Sequence, residues 1–273
     1  MNVLVLGTDG MLGSYISSYL RSKGILVPTI TRKELDIFKL IQTGKLRASI
    51  SALLLTYQPT MVVNCIGVIN KRVDLSLGEM YMINGHFPIE LGEICSFYNY
   101  PLIHASTDCV FSGKIGWYRE DNLVDPVDDY GISKAIGDNC NACIIRTSII
   151  GRDVAVRSFL EWVISRKGKE IIGYINHKWN GITCLEYAKF IYELITSKRP
   201  LWKGVKHLGT SEDMSKADLI ELISNIYNLD LKISKINYGE NVYRSLLPSI
   251  IMKPIDIQLK ELREWHIDNA IAR

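Results

Sequence analysis

Asn2-Val3-Leu4-Val5-Leu6-Gly7-Thr8-Asp9-Gly10-Met11-Leu12-Gly13 is an apolar run followed at once by three glycines spaced three apart. Apolar residues then recur at helical spacing up to Gly24. Strand, glycine-rich turn and helix in this order are the context of a dinucleotide-binding turn, although an ordinary glycine turn has the same order. In the functional interpretation Gly7 makes a tight turn, Gly10 lets a pyrophosphate approach the backbone, and Gly13 lets helix and strand pack closely.

The next segment bears on which dinucleotide is bound. Residues 24–30 predict a second strand, and Arg32 and Lys33 follow it where an enzyme specific for NAD usually has an acidic residue. Basic side chains there suit a 2′-phosphate, so NADP(H) is favoured. Glu34 is acidic and therefore leaves NAD(H) as an alternative cofactor. We place Asp36 near the adenine. A solvated loop is the alternative for the two basic residues.

Composition excludes several classes of function. The chain has 273 residues, of which 47% are hydrophobic and 22% charged, and its net charge is +3. This charge is too small to argue for a nucleic-acid or membrane partner, and we expect neither a signal peptide nor a membrane span. The six cysteines include one Cys140-x-x-Cys143 pair without the second pair of ligands that a zinc site needs. We therefore expect reduced thiols, no metal and a cytoplasmic protein.

Further apolar strands are predicted at 61–67, 101–105 and 143–146, with helices between them. Each strand ends in small or polar residues, and this alternation predicts an α/β fold with a Rossmann-like doubly wound parallel sheet. We assign 1–150, with part of 175–205, to a dinucleotide-binding domain. Residues 151–273 mainly form a smaller α/β lobe that closes over the substrate.

One pair of residues carries the candidate chemistry. Tyr130 and Lys134 are four apart and share one face of a predicted helix. We expect the ammonium to lower the pKa of the phenol, which makes Tyr130 a candidate general acid, with the Thr107 hydroxyl bonding the same substrate oxygen. A surface Tyr/Lys pair is the alternative. His104 is interpreted as a core histidine, and Asn84 as either a buried polar cap or a participant in the site.

Taken together, these motifs resemble a known family. The extended short-chain dehydrogenases/reductases share their order and spacing, and the dTDP-4-dehydrorhamnose reductase branch is the most similar. The resemblance is carried by Gly7-x-x-Gly10-x-x-Gly13, Val63-Asn64, Ser106-Thr107-Asp108-Cys109-Val110-Phe111-x-Gly113, Tyr130-Gly131-x-Ser133-Lys134, Arg146-Thr147-Ser148 and the loop from Asn176 to Thr183.

The resemblance implies a role for each matching position. Tyr130, Lys134 and Thr107 would be the catalytic residues, with Lys134 holding the nicotinamide ribose. The residues implied in cofactor binding are Gly7, Gly10, Met11, Leu12, Gly13, Arg32, Asp36, Gly67, Val68, Ile69, Tyr130 and Lys134. Those implied in substrate binding are Thr107, Asp108, Ile149, Asn176 and Trp179.

The resemblance implies an NAD(P)H-dependent reductase of a nucleotide-linked 4-keto-6-deoxyhexose, used for surface polysaccharide. Cys109 replaces the usual tyrosine and Ile149 the usual tryptophan, which leaves the hexose open. Two alternatives stay open: a sugar-nucleotide epimerase or dehydratase, and a non-catalytic NAD(P)-binding regulatory subunit. A single acid, Asp108, beside the threonine weighs against dehydration. A homodimer is compatible with the resemblance, because dimers are frequent in the superfamily.

Overall fold

The computed structural model describes residues 1–69, 76–153, 158–197 and 200–268. Among these residues no helix is both long and apolar enough to cross a membrane. The chain forms two compact units. The first comprises residues 1–111, 123–146 and 188–206, and the second comprises 112–122, 147–187 and 207–273.

Strands and helices alternate along the chain. The strands are β1 Val3–Leu6, β2 Met61–Asn64, β3 Leu102–Thr107, β4 Cys143–Thr147, β5 Ile149–Ile150, β6 Glu170–Tyr174, β7 His177–Trp179, β8 Ile182–Thr183, β9 Gly204–Gly209, β10 Met214–Ser215, β11 Lys232–Ile236, β12 Val242–Tyr243 and β13 Ile250–Ile251. The α-helices are α1 Met11–Ser22, α2 Ile37–Gln42, α3 Leu46–Tyr57, α4 Leu77–Tyr81, α5 Phe87–Phe97, α6 Asp129–Gly137, α7 Phe159–Ile164, α8 Cys184–Thr196, α9 Lys216–Tyr227 and α10 Ile255–Asp268. A π-helix at Met82–His86 joins α4 to α5, and a 3₁₀ turn at Asp108–Val110 follows β3.

The main sheet has six parallel strands in the order β1-β2-β3-β4-β9-β13. In its first part Val5 pairs with Val63, and Val63 pairs in turn with Ile103. All three side chains are fully buried, as expected for strands covered on both faces. The predicted fold class, a Rossmann-like α/β sheet, is confirmed.

The second predicted strand, 24–30, is wrong in extent. Within this segment only Leu26 forms a β-bridge, and its partner is Asn2. Pro28 has no backbone N–H and cannot continue a ladder of hydrogen bonds. The Arg21 side chain instead donates to the carbonyl of Val27 at 2.8 Å, which satisfies an acceptor that a neighbouring strand would otherwise use.

The second unit contains shorter sheets. Strand β6 pairs in parallel with β11, and β7 lies between β10 and β12. The aromatic and amide residues of 171–181 predict a loop, but this segment contains most of β6 and all of β7. A Cβ atom on Gly173 would lie 2.7 Å from the backbone of Ala217, so this glycine serves the packing of β6 against α9. Ser215 caps α9 by accepting the amide of Asp218, a role for which serine is favoured at the start of a helix.

Apolar residues at helical spacing also predict helices at 74–100 and 154–166, and the structure describes these two segments only in part. Residues 70–75 and 154–157 lie outside the described ranges. Among the described residues, α7 begins after Ser158, whose hydroxyl accepts the amide of Glu161.

Candidate active site

The glycine turn has the backbone conformation that its sequence predicted. Gly7 has φ +88°, and the amide of Gly10 donates to the Gly7 carbonyl at 3.0 Å. Positive φ favours glycine because other residues clash there. Helix α1 then begins without a side-chain cap and without an acidic residue in its first turn. Its amino-terminal amides are therefore suited to an anionic ligand.

Gly13→Ala is expected to destabilise the protein by about 1–3 kcal/mol, the usual range for overpacking. A Cβ atom there would lie 2.1 Å from the carbonyl oxygen of Gly7, and this backbone cannot yield without opening the turn. Urea unfolding measures the change. The control is Gly78→Ala in α4, where the nearest atom to an added Cβ is 4.0 Å away. Equal stability of the two variants would contradict the assigned role of Gly13.

The turn after residue 30 carries both signs of charge. The guanidinium of Arg32 lies 3.7 Å from the Asp36 carboxylate, and about half of its surface is exposed. Asp36 caps α2 through the amide of Lys39. The Glu34 carboxylate accepts from the amide and hydroxyl of Thr31 at 2.8 and 3.0 Å, and these bonds lower its pKa. Glu34 is thus engaged within its own turn, whereas Arg32 presents charge to the surface.

Asn84 fixes the loop that follows β2. Its side-chain amide accepts from the amide of Val68 at 2.9 Å and donates to the Val68 carbonyl at 2.8 Å. It also donates to the Ser133 hydroxyl at 3.0 Å, and it is fully buried. Asn84 therefore joins the predicted cofactor loop at Gly67, Val68 and Ile69 to helix α6. The sequence left its role open because the partner on α6 is 49 residues away.

The predicted catalytic residues lie in the first unit. Thr107 ends β3, and its hydroxyl lies near enough to the Tyr130 phenol on α6 to influence the pKa of that phenol. Lys134 follows one turn later and is 4% exposed, with its Nζ donating to the carbonyl of Ala105 at 2.8 Å. Helix α6 is positioned by Asp128, which accepts the amide of Gly131 at 2.7 Å.

The predicted lowering of the Tyr130 pKa is wrong for this structure. Burial, followed by the nearby Cys109 thiol, raises the pKa of the phenol above its ordinary value of 10.0. The hydrogen bond from Thr107 lowers it, but by less. The pKa of Lys134 is itself lowered, mainly by desolvation. The phenol is therefore held protonated at neutral pH, as a proton donor must be.

The predicted substrate residues lie in different surroundings. Asp108 is buried and accepts the Thr107 hydroxyl at 3.1 Å, whereas Ile149 is partly exposed opposite Ile182. The Asn176 amide bonds the backbone of residues 238–240, so it holds that loop in place. Trp179 is buried under the Lys216 ammonium, 5.5 Å from the ring centroid. Contact of these residues with a substrate stays a prediction.

The second unit contains a cavity of about 520 Å³ that the sequence did not indicate. Two cations lie against its aromatic rings: Lys216 is 5.0 Å from the Phe159 ring centroid, and Arg166 is 5.9 Å from that of Trp162. Aromatic faces and cations together suit a planar base and a diphosphate. No local motif marks this set, because its members come from α7 and the residues after it, from β6 and β7, and from α9.

Comparison with known proteins finds a family model and several named relatives that match this chain. The profile of the RmlD substrate binding domain family matches residues 1–244. Spore coat polysaccharide biosynthesis protein SpsK of Bacillus subtilis is 33% identical, over 96% of this chain and 93% of its own. A dTDP-4-keto-6-deoxy-D-glucose reductase of Streptomyces niveus is 26% identical, over 83% of this chain and 79% of its own.

The fold is also that of a solved structure. A dTDP-4-dehydrorhamnose reductase from Bacillus anthracis, crystallised in complex with NADP, superimposes with a TM-score of 0.83 at 18% identity. The match covers 97% of this chain and 99% of that one. The chain therefore belongs to the RmlD substrate binding domain family, in the sugar-nucleotide reductase branch of the extended short-chain dehydrogenases/reductases.

Proposed function

We propose that this protein uses NADPH to reduce a nucleotide-linked 4-keto-6-deoxyhexose. The observation that carries the proposal is the buried Tyr130 phenol beside Thr107 at the carboxyl end of β3, with Lys134 one helical turn away. Ligands of open parallel sheets bind at the carboxyl ends of the strands, where this group lies. The relatives named as reductases of dTDP-linked keto sugars support the choice of substrate.

The residues present fit a dinucleotide. The turn at Gly7 and the uncapped start of α1 form a cradle of backbone amides, and Cβ atoms at Gly7 and Gly13 would collide with the backbone that shapes it. Gly10, Met11 and Leu12 would hold the pyrophosphate through backbone amides. Gly67, Val68 and Ile69 would line the nicotinamide half, in a loop that Asn84 fixes.

The protein's own part in the reaction is to orient groups and move one proton. When bound, the nicotinamide supplies a hydride to the keto carbon. Tyr130 would give its proton to the keto oxygen, Thr107 would donate a hydrogen bond to the same oxygen, and Lys134 would bind the ribose hydroxyls. Asp108 would hold a sugar hydroxyl. The raised pKa of Tyr130 keeps the proton on the phenol until the oxygen becomes basic.

Arg32→Ala is expected to weaken NADPH binding about tenfold or more and to leave NADH binding nearly unchanged. A hydrogen bond between charged groups contributes about 1.5–3 kcal/mol, and only NADPH carries the 2′-phosphate. Quenching of intrinsic fluorescence measures both dissociation constants. The control is Arg47→Ala on α3, whose guanidinium pairs instead with Glu93 at 2.9 Å. Equal weakening of both cofactors would contradict the role of Arg32.

Between about pH 7 and pH 9, ionisation of Tyr130 is not expected to lower the rate of reduction. The pKa of this phenol is raised above 10.0, so the donor stays protonated over that range. Initial rates at saturating NADPH and keto sugar measure the profile. A decline with a midpoint near pH 8 would assign proton donation to another group or show that the pKa is lowered.

A panel of nucleotide-linked 4-keto-6-deoxyhexoses, assayed with NADPH and NADH, tests the function directly. We expect oxidation of NADPH with at least one dTDP-linked member and turnover at least about a hundredfold slower with Tyr130→Phe. Tightly bound NAD that does not exchange would instead indicate an epimerase or a dehydratase. Cofactor binding without turnover of any member would favour a regulatory subunit.

The remaining assignments belong to the same proposal. The cavity of the second unit is the candidate site for the nucleotide portion, since it offers aromatic rings beside Lys216 and Arg166. The reduced sugar would serve surface polysaccharide synthesis, a role supported by the name of the B. subtilis relative. We place the protein in the cytoplasm, where NADPH is supplied. We also propose that it is a homodimer, and light scattering would measure the mass of the assembly.

A further inference from the structure

A buried chain of hydrogen bonds ends at Lys134. It starts at the amide of Ile66, which donates to Oδ1 of Asn64 at 3.0 Å. Nδ2 of Asn64 lies 3.0 Å from Nδ1 of His104, and Nε2 of His104 lies 3.5 Å from Nζ of Lys134. Asn64 and His104 are fully buried, and Lys134 is 4% exposed.

The first bond fixes the direction of the others. A backbone amide only donates, so the oxygen of the Asn64 side chain must face Ile66 and its NH₂ must face His104. Nδ1 of the imidazole then accepts. A neutral imidazole has one donor and one acceptor, so the ring proton is on Nε2, the nitrogen that faces Lys134.

The charge state of the ring agrees with this assignment. Complete burial, with the Lys134 charge beside it, holds the pKa of His104 well below 6.5, so the ring is neutral. Burial also lowers the pKa of Lys134. The titratable groups that raise the Lys134 pKa are Asp138 and Cys140, at and after the end of α6, and Cys65 after β2.

We propose that His104 is a positioning residue for Lys134, held by Asn64 as its Nε2–H tautomer. An N–H group directed at Nζ cannot accept from an ammonium, so the lysine N–H bonds turn away from the ring. One donates to the Ala105 carbonyl at 2.8 Å, and the others are left for the ribose and the Tyr130 side of the site. The inference rests on the proposed function, because only there does the direction of this amine matter.

The first test reads the tautomer in the protein without cofactor or substrate. Long-range ¹H–¹⁵N correlation of ¹⁵N-histidine protein reports which ring nitrogen is protonated in each of the five histidines. His104→Gln assigns the signal. His207 is an internal reference of the opposite kind, since its Nδ1 lies 3.0 Å from the Tyr118 carbonyl and must be the donor. We expect Nε2–H for His104 and Nδ1–H for His207; Nδ1–H at His104, or protonation near neutral pH, would overturn the proposal.

The second test changes the tautomer. In Asn64→Asp, a carboxylate accepts from both Ile66 and Nδ1–H, so the ring should switch and Nε2 should accept from the ammonium. We expect the titration of the Lys134 side chain, followed by the ¹³C shift of Cε, to move upward with the switch. Asn139→Asp controls for added charge, because Asn139 is exposed and bonds only carbonyls of its own helix.

The outcomes separate this proposal from the proposed function. A switched ring with an unmoved Lys134 titration would overturn the positioning role, as would an equal upward shift in Asn139→Asp with no change of tautomer. Neither readout requires turnover. A protein that reduced no keto sugar but kept the Nε2–H ring would therefore lose its proposed function and keep this network.

Discussion

Tyr130→Phe is expected to lower kcat for reduction of the keto sugar by about 10²–10⁴-fold, the usual contribution of a positioned general acid. The variant removes only the hydroxyl that lies beside Thr107, so the ring still fills its place on α6. NADPH binding should be retained, because the glycine turn and Lys134 are unchanged. Steady-state kinetics and fluorescence titration measure the two effects separately.

Tyr81→Phe is the matched control for this prediction. The Tyr81 hydroxyl donates to the Asp129 carboxylate at 3.0 Å, so this variant also removes one phenol bond to the first turn of α6. It should leave kcat unchanged. A similar fall in both variants would mean that kcat depends on how α6 is held, and Tyr130 would then not be the proton donor.

Arg146→Met is expected to destabilise the protein by about 3–5 kcal/mol, the cost of leaving a buried charge without its partner. Nε of Arg146 lies 2.7 Å from the Asp138 carboxylate, and the two side chains are 7% and 4% exposed. The guanidinium also lies over the Phe111 ring, 5.4 Å from its centroid. The methionine keeps most of the apolar contact, so the loss measures the uncompensated carboxylate. Urea unfolding measures it.

The double variant Asp138→Asn/Arg146→Met should recover part of this loss, since neither buried charge then remains. Arg119→Met is the exposed control. Its ion pair with Asp121 is about two-thirds exposed on both sides, so no measurable change is expected. Equal unfolding free energies for Arg146→Met and the parent protein would show that water reaches the Asp138 carboxylate.

Local sequence was sufficient to predict a structural feature where all the residues that form it lie in one short segment. The turn at Gly7, Gly10 and Gly13 follows from a strand, three glycines and a helix within the twenty residues from Val3 to Ser22. The Tyr130/Lys134 pair follows from helical spacing alone. Such features depend on contacts between near neighbours, and their geometry is set by backbone sterics and the helical repeat.

Local pattern failed where a residue's role depends on what packs against it. Pro28 interrupts an apolar segment that otherwise predicts a strand. The aromatic and amide residues of 171–181 suggest a loop, yet Gly173 lies in β6, where the backbone of Ala217 leaves no room for a side chain. The pKa of Tyr130 moved opposite to the expected direction because desolvation outweighs nearby charges, and burial cannot be read from a spacing of four.

The sequence by itself determined the class of fold, the glycine cradle and the helical placement of the phenol one turn from the amine. Only the tertiary structure decided that Asn84 ties the cofactor loop to α6 and that His104 presents a ring nitrogen to Lys134. Those bonds join residues 16 to 49 positions apart. Such partners meet only after parallel strands and their crossover helices have packed, so no local pattern in the chain encodes the direction of their hydrogen bonds.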